Sequence, residues 1–289
     1  MIADRFNQNF KKLLAALALI PLTLSLGISE GFAGDLMDRL KAGEPIRIGF
    51  ANEVPWAYPG ENNKPLGFAN VHAVGVLKAM GAKNIEPVVT EWGGLIPGLN
   101  ANRFDVITGG MYILGSRCKN VAFSEPMGVF GDAFIVAPGN PKNISDYKDI
   151  KKTGAVLVTG AGYNIVEVAK KEGIAEGNIM TVPGPTEILA AVKAGRADAG
   201  GVTFFTAQNL AKESGGAVDV TDPAAMPVWT KNWVGIAFRK SDADFRDAFN
   251  EAQRNYLGSY GMLDAVAPYE YTRAQLPGDA TTEYACANR

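Results

Sequence analysis

Histidine and cysteine are nearly absent from this chain of 289 residues, which carries one of the first and two of the second. With His72 alone there is no Ser-His-Asp constellation and no zinc-type spacing of Cys and His ligands. Charge of one sign is lacking as well: 28 Lys+Arg stand against 30 Asp+Glu, a formal net charge of −2. No block of like charge marks a basic face, so nucleic acid is not an expected partner. No phosphate-cradling loop with its lysine occurs, and Gly160-Ala161-Gly162 is too short for a dinucleotide fingerprint. No cofactor is therefore expected. A lone histidine without a partner motif reads as a packed residue.

Long apolar runs are confined to the start. Arg5, Lys11 and Lys12 precede the apolar stretch 13–28, and Gly31-Phe32-Ala33 supplies small residues at its exit. That order reads as a secretory leader, residues 1–33, cut near Ala33. The mature chain is expected to be soluble and exported. Export gives the two cysteines a meaning, because an oxidising compartment favours pairing Cys118 with Cys286. Such a bond would pin the C-terminal tail beside Arg117. The chain-entropy ceiling for so long a loop is about 5 kcal/mol.

What is present alternates strand and helix. Short β-branched runs at 46–50, 88–90, 105–108, 155–158, 179–182, 197–202 and 218–221 are separated by helical stretches at about 71–80 and 206–212, and by one expected to be capped by Thr186 and stopped by Gly195. Ser241 with Asp244 reads as a capping box opening a helix over about 242–257. Runs at 133–137 and 233–238 read as crossings between two β/α lobes, which makes the first lobe discontinuous: 44–136, then 137–233, then 234–289. Ligands in open α/β sheets sit beyond the carboxyl ends of strands. Strand exits here deliver Glu53 with Trp56, then Trp92, then Tyr112, with Arg117 just beyond. Arginine is a planar, permanently charged clamp for a carboxylate.

At that point the sequence resembles a known family. Gly110-Met111, Arg117 and Phe123-Ser124-Glu125-Pro126 are similar to the signature of polar amino-acid-type solute-binding proteins of ABC importers. Phe104-Asp105-Val106-Ile107, Gly67-Phe68 and Gly195-Arg196-Ala197-Asp198-Ala199 fit the same family. The resemblance implies a two-lobed α/β fold of the type II periplasmic-binding (Venus-flytrap) kind with two hinge-crossing strands. It also implies that Arg117 holds a ligand carboxylate. Two departures stand out. Thr203 occupies the position where ordinary members carry an aspartate for an α-ammonium group, and the acidic residues usual after Gly-Phe are replaced around Ala69 and Val71.

Within the family, the 51–56 turn, Glu91-Trp92-Gly93 before Ile96-Pro97-Gly98-Leu99, the pair Arg117-Cys118 and the Cys286 tail are most similar to ectoine/hydroxyectoine-binding proteins. This implies an aromatic cage of Trp56, Trp92 and Tyr112 for a delocalised or alkylated cation. Glu53 would accept ring N–H bonds, and Gly162, Tyr163, Asn164 and Thr203 would complete the site from the second lobe. The expected partners are a small zwitterion and a permease of the inner membrane, with the protein a periplasmic monomer. Rival readings are a binder of another amino acid or a betaine, a sensor that presents solute to a receptor, and a dehydratase of the cyclohexadienyl type. The last would have only Glu53 as an evident acid or base.

Overall fold

The computed structural model describes residues 36–289; the expected leader at 1–33 lies outside them. Helix α1 (Leu36–Ala42) leads to β1 (Ile46–Phe50), a small ribbon of β2 (Tyr58–Pro59) and β3 (Pro65–Leu66), α2 (Phe68–Ala79), β4 (Ile85–Val89), α3 (Leu95–Asn100) and β5 (Val106–Tyr112). There follow α4 (Gly115–Cys118), β6 (Ala122–Phe123) and β7 (Gly128–Phe130). A second alternation runs through β8 (Asp132–Val136), α5 (Tyr147–Thr153), β9 (Leu157–Gly160), α6 (Asn164–Lys171), β10 (Ile179–Val182), α7 (Pro185–Lys193), β11 (Ala199–Thr203), α8 (Phe204–Glu213) and β12 (Asp219–Val220). The chain then returns through β13 (Asn232–Phe238), α9 (Ala243–Tyr256), α10 (Tyr260–Val266) and α11 (Thr282–Asn288). Among these residues no helix is long and apolar enough to cross a membrane.

Two sheets result, one per lobe. The first has the order β4-β1-β5-β13-β6, with β7 also on β13, and the second β10-β9-β11-β8-β12. In each, the parallel strands are flanked by strands running the other way. Helices cover both faces of both sheets, as buried parallel strands require. The alternation is visible along β8: Phe134 and Val136 point into one core cluster, Ala133 and Ile135 into the other.

The passages between lobes differ from expectation. The run at 133–137 was expected to cross, yet β8 pairs along its whole length with β11 in the second sheet. Sheet membership changes one residue earlier, at Gly131, because Phe130 still pairs with Asn232. The return lies between Val220 and Asn232, since β13 belongs to the first sheet from its first residue. The expected boundaries at 136/137 and 233/234 therefore fall at the end of one strand and inside another.

Two expected caps are also replaced. Ser241 bonds Asp242 and caps nothing; a 3-10 turn precedes α9. Helix α7 begins at Pro185, whose missing N–H costs nothing at that position, so Thr186 lies within the first turn. His72 is fully buried and shares a hydrogen bond with Gln253, and burial pushes it down to about 4 against that bond. It is a packed residue. Asp105, just before β5, collects Arg39, Arg47 and Arg239 around one carboxylate. Burial pushes this carboxyl up, but bonds from Arg47 and Arg39 outweigh it and hold it at about 2.

Candidate functional site

The carboxyl ends of the parallel strands of both sheets face one cleft, and the side chains beyond them meet there. After β1 the chain folds into a tight turn in which Glu53 pairs with Ala57 and the Val54-Pro55 bond is cis. The carbonyls of Pro55 and Trp56 accept from the Phe68 and Ala69 N–H groups, two of the orphan donors at the start of α2. Helix α2 thus holds Trp56 from behind. Its indole lies against Phe68 and Phe130, with ring centroids 4.6 and 4.5 Å away. Strand β5 approaches from the other side. Its register against β13 shifts between Gly235 and Ala237, and Gly110 takes a φ of 75° there. A Cβ at Gly110 would stand 2.5 Å from Cε3 of Trp56, so only glycine lets this strand touch the indole.

One cavity between the lobes is lined by Glu53, Trp56, Trp92, Gly109, Gly110, Tyr112, Arg117, Tyr163, Asn164 and Thr203. Every site residue expected from the sequence lies on this wall except Gly162, whose carbonyl accepts from both Trp92 Nε1 (3.1 Å) and Arg117 Nη2 (3.0 Å). The Gly160–Gly162 loop thus presents a carbonyl to the first lobe. The space left for the centre of a water molecule is about 20 Å3, room for roughly one water. The walls are nearly in contact.

Arg117 is the chemical centre of the site. It is buried at 7 % exposure, donates to the carbonyls of Tyr112 and Gly162, and lies 5.6 Å from the centroid of Trp92. Among the described residues no carboxylate lies within 4.0 Å of it. Burial lowers it to about 10, opposed by the fields of Glu167, Tyr112 and Asp132. It remains a cation at neutral pH, buried and without an ion pair, which is costly unless an anion is supplied.

The short helix that carries it is braced from outside. Cys118 is bonded to Cys286 of α11, with Cα atoms 5.9 Å apart. The Gly115 N–H donates to the Arg289 carbonyl at 2.8 Å, and a Cβ at Gly115 would crowd the Cys286 carbonyl at 2.8 Å.

Glu53 joins the lobes. Its oxygens accept from Tyr163 Oη and Thr206 Oγ1, both at 2.6 Å, and burial raises its pKa against the pull of those two bonds. Trp56 Nε1 donates to Thr203 Oγ1 at 2.8 Å, and this bond too crosses the cleft. Tyr163 adds a ring that the sequence placed in a loop: it meets Trp92 edge-on at 5.4 Å.

Two polar participants were not expected. Thr206 is one turn into α8 and bonds Glu53. Asp132 opens β8 and is the cross-strand partner of Thr203. It is fully buried and accepts from Asn164 Nδ2 (2.9 Å), Tyr147 Oη (3.3 Å) and Tyr112 Oη (3.5 Å). Burial raises it to about 7 despite those bonds and the field of Arg117. An acid thus stands one strand away from the position where Thr203 replaces one. The only local signal for it was an aspartate between a glycine and an apolar run.

The comparisons bear on what such a cleft is for. A probable amino-acid ABC transporter periplasmic-binding protein, y4tE of Sinorhizobium fredii, is 36% identical over 282 residues, covering 94% of this chain and 93% of its own. The L-cystine-binding protein TcyJ of Escherichia coli (strain K12) is 26% identical over 244 residues, 82% of this chain and 88% of that one. A crystal structure of EhuB in complex with hydroxyectoine superposes with a TM-score of 0.79 at 28% identity, over 88% of this chain and 98% of that one. The first two are named as binding proteins, and with them this chain is a binder and not an enzyme. Since residues 46–273 match the family throughout, the chain belongs to the bacterial extracellular solute-binding proteins, family 3, and is the solute-binding component of an amino-acid-type ABC importer.

Proposed function

We propose that the protein captures a small zwitterionic compatible solute, ectoine or hydroxyectoine, in the periplasm and hands it to a permease of the inner membrane. The observation that carries this reading is Arg117: a buried cation without an ion pair, at the back of a cleft walled by aromatic rings. A ligand carboxylate would supply the missing charge through bidentate bonds. Trp56, Trp92 and Tyr112, with Tyr163 as a fourth ring, would face a delocalised cation at roughly 0.5–2 kcal/mol per contact. Glu53 would accept ring N–H bonds with lone pairs that Tyr163 and Thr206 leave free, and Gly162, Asn164 and Thr203 would close the site from the second lobe. A hydroxyectoine complex among the structural neighbours supports the choice of solute.

Binding is linked to lobe motion. The gap is too small for an amino-acid-sized solute, so the lobes part at Gly131 and in the stretch before Asn232 to admit one. They close again because the solute replaces the direct bonds between Glu53, Tyr163, Thr206, Trp56 and Thr203 with its own. Closure needs that differential in contacts between the open and closed states. The exported chain begins after residue 33 in this reading and acts as a monomer.

Calorimetric titration with ectoine, hydroxyectoine, glycine betaine, cystine and glutamate tests the proposal. Ectoine or hydroxyectoine is expected to bind tightest. Tight binding of glutamate or cystine alone would refute the cage assignment and leave the importer component intact.

A further inference from the structure

Asp132 is a fully buried carboxylate at the passage between the lobes, and the capture of solute leaves it without a task. It sits directly after Gly131, where the chain changes sheets. One oxygen, Oδ1, accepts from Tyr112 on β5 of the first lobe, and Oδ2 accepts from Tyr147 on α5 and Asn164 at the start of α6, both in the second. Tyr112 and Asn164 are themselves on the wall of the cleft. We infer that Asp132 is a positioning residue for solute binding: its carboxylate ties a cleft tyrosine of one lobe to a cleft asparagine of the other, and its ionisation sets how firmly the lobes are held together. The inference rests on the solute-binding reading for its relevance to ligand, but its own geometry is independent of which solute binds.

The hydrogen-bond inventory explains why charge matters. An ionised carboxylate only accepts, so it satisfies all three donors at once. A protonated one must donate from one oxygen. Oδ2 already takes two donors, so the proton falls on Oδ1, and the Tyr112 hydroxyl then accepts from a neutral carboxyl instead of donating to a charge. That contact is the longest of the three at 3.5 Å, and it is the one that crosses between lobes. A charged acceptor shortens and strengthens such bonds. Ionisation therefore draws Tyr112 toward the second lobe, and protonation weakens that tie to a neutral hydrogen bond.

The groups whose fields reach Asp132 are Arg117 on α4, which favours the ionised form, and Tyr112 and Tyr147, which stay neutral because burial and Asp132 itself raise them far above their usual range. Glu53 also acts on Tyr112, and Glu172 on Tyr147, from outside the cluster. With burial as the dominant cause, Asp132 titrates at about 7. As its folded value lies above the usual carboxylate value, the ionised, lobe-tying form gains population as pH rises through 7.

The test needs no ligand at first. Trp56 and Trp92 both lie at the lobe interface, so tryptophan fluorescence of the mature protein between pH 5.5 and 8.5 reads the cleft, with small-angle scattering as a second measure of closure. A transition centred near 7 is expected in the wild type, moved to higher pH in Arg117→Met, which removes a cation that favours the ionised form, and absent from Asp132→Asn. Tyr112→Phe, which keeps the ring and removes only the hydroxyl, should abolish it too and covers the case in which the Asp132 variant does not fold. With ectoine as the probe, affinity should rise by about fivefold or more from pH 6 to 8 and be flat in both variants. A wild type without the transition, or an unchanged transition in Tyr112→Phe, overturns the inference. Failure of ectoine to bind any variant refutes the solute assignment and leaves the fluorescence result to decide the role of Asp132.

Discussion

Replacing Arg117 by methionine separates the role of this residue in binding from its role in folding. The side chain is buried and its pKa lowered from the usual guanidinium range to about 10, a penalty on the charged form of roughly 3 kcal/mol at any pH below 10. Because the folded value lies below the unfolded one and far above neutrality, that cost does not change between pH 5 and 8. Against it stand the hydrogen bonds to the Tyr112 and Gly162 carbonyls, worth about 1 kcal/mol each. Methionine removes the desolvated charge and those two bonds together, so the folding free energy should stay within about 1 kcal/mol of wild type, a shift of ~2–4 °C in midpoint. Binding behaves otherwise. A bidentate pair of charge-assisted bonds, each about 1.5–3 kcal/mol, implies an affinity loss of roughly a hundredfold to ten-thousandfold. Urea unfolding and thermal melts with and without ectoine read both quantities. Wild type should gain about 2.7 kcal/mol at a hundredfold excess over Kd, and Arg117→Met nothing. A variant that loses more than about 3 kcal/mol would show the arginine to be structural. One that still binds would show that the carboxylate is held elsewhere.

Two further expectations follow from single residues. Gly110→Ala should lose about 2–4 kcal/mol of stability and displace the Trp56 wall, because it combines a left-handed φ with a Cβ against the indole. Gly81→Ala, with a φ of 98° and nothing within 4 Å of its Cβ, is the control that carries backbone strain alone, and equal losses in the two would remove the packing argument. His72 is the single histidine of the chain, so proton NMR follows one imidazole without assignment. Its midpoint should lie near 4, and because that folded value is below the usual 6.5, the stability it confers is lost as pH falls from about 6.5 to 4. A midpoint near 6.5 would contradict the burial of the ring.

Much of the site was legible because its side chains follow directly on recognisable strands. Trp56, Trp92, Tyr112 and Thr203 each stand within a few residues of a β-branched run, and topology alone carries such residues to one edge. Asp132 and Thr206 were not legible, since each owes its place to a partner more than thirty positions away or on the opposite lobe. The passages between lobes were misplaced for a related reason. An apolar run such as 133–137 signals a strand, but not which sheet will take it; pairing with β11 decides that. The bond of Tyr163 to Glu53 likewise depends on two lobes meeting, which no local pattern encodes.

The brace behind Arg117 carries a consequence for where the protein can work. Helix α4 spans four residues, far below the length at which a helix persists by its own hydrogen bonds. Its position is fixed by the sulfur bridge to α11 and by the backbone bond from Gly115 to Arg289. Arg117, which in the proposed reading meets the carboxylate of the solute, is thus seated by a covalent event, one that thiol-rich surroundings prevent. A chain still waiting in a reducing cytoplasm would hold its strands and its aromatic walls, yet lack a steady arginine. In the proposed reading such a chain would bind solute more weakly than the oxidised one, which titration with and without reductant measures.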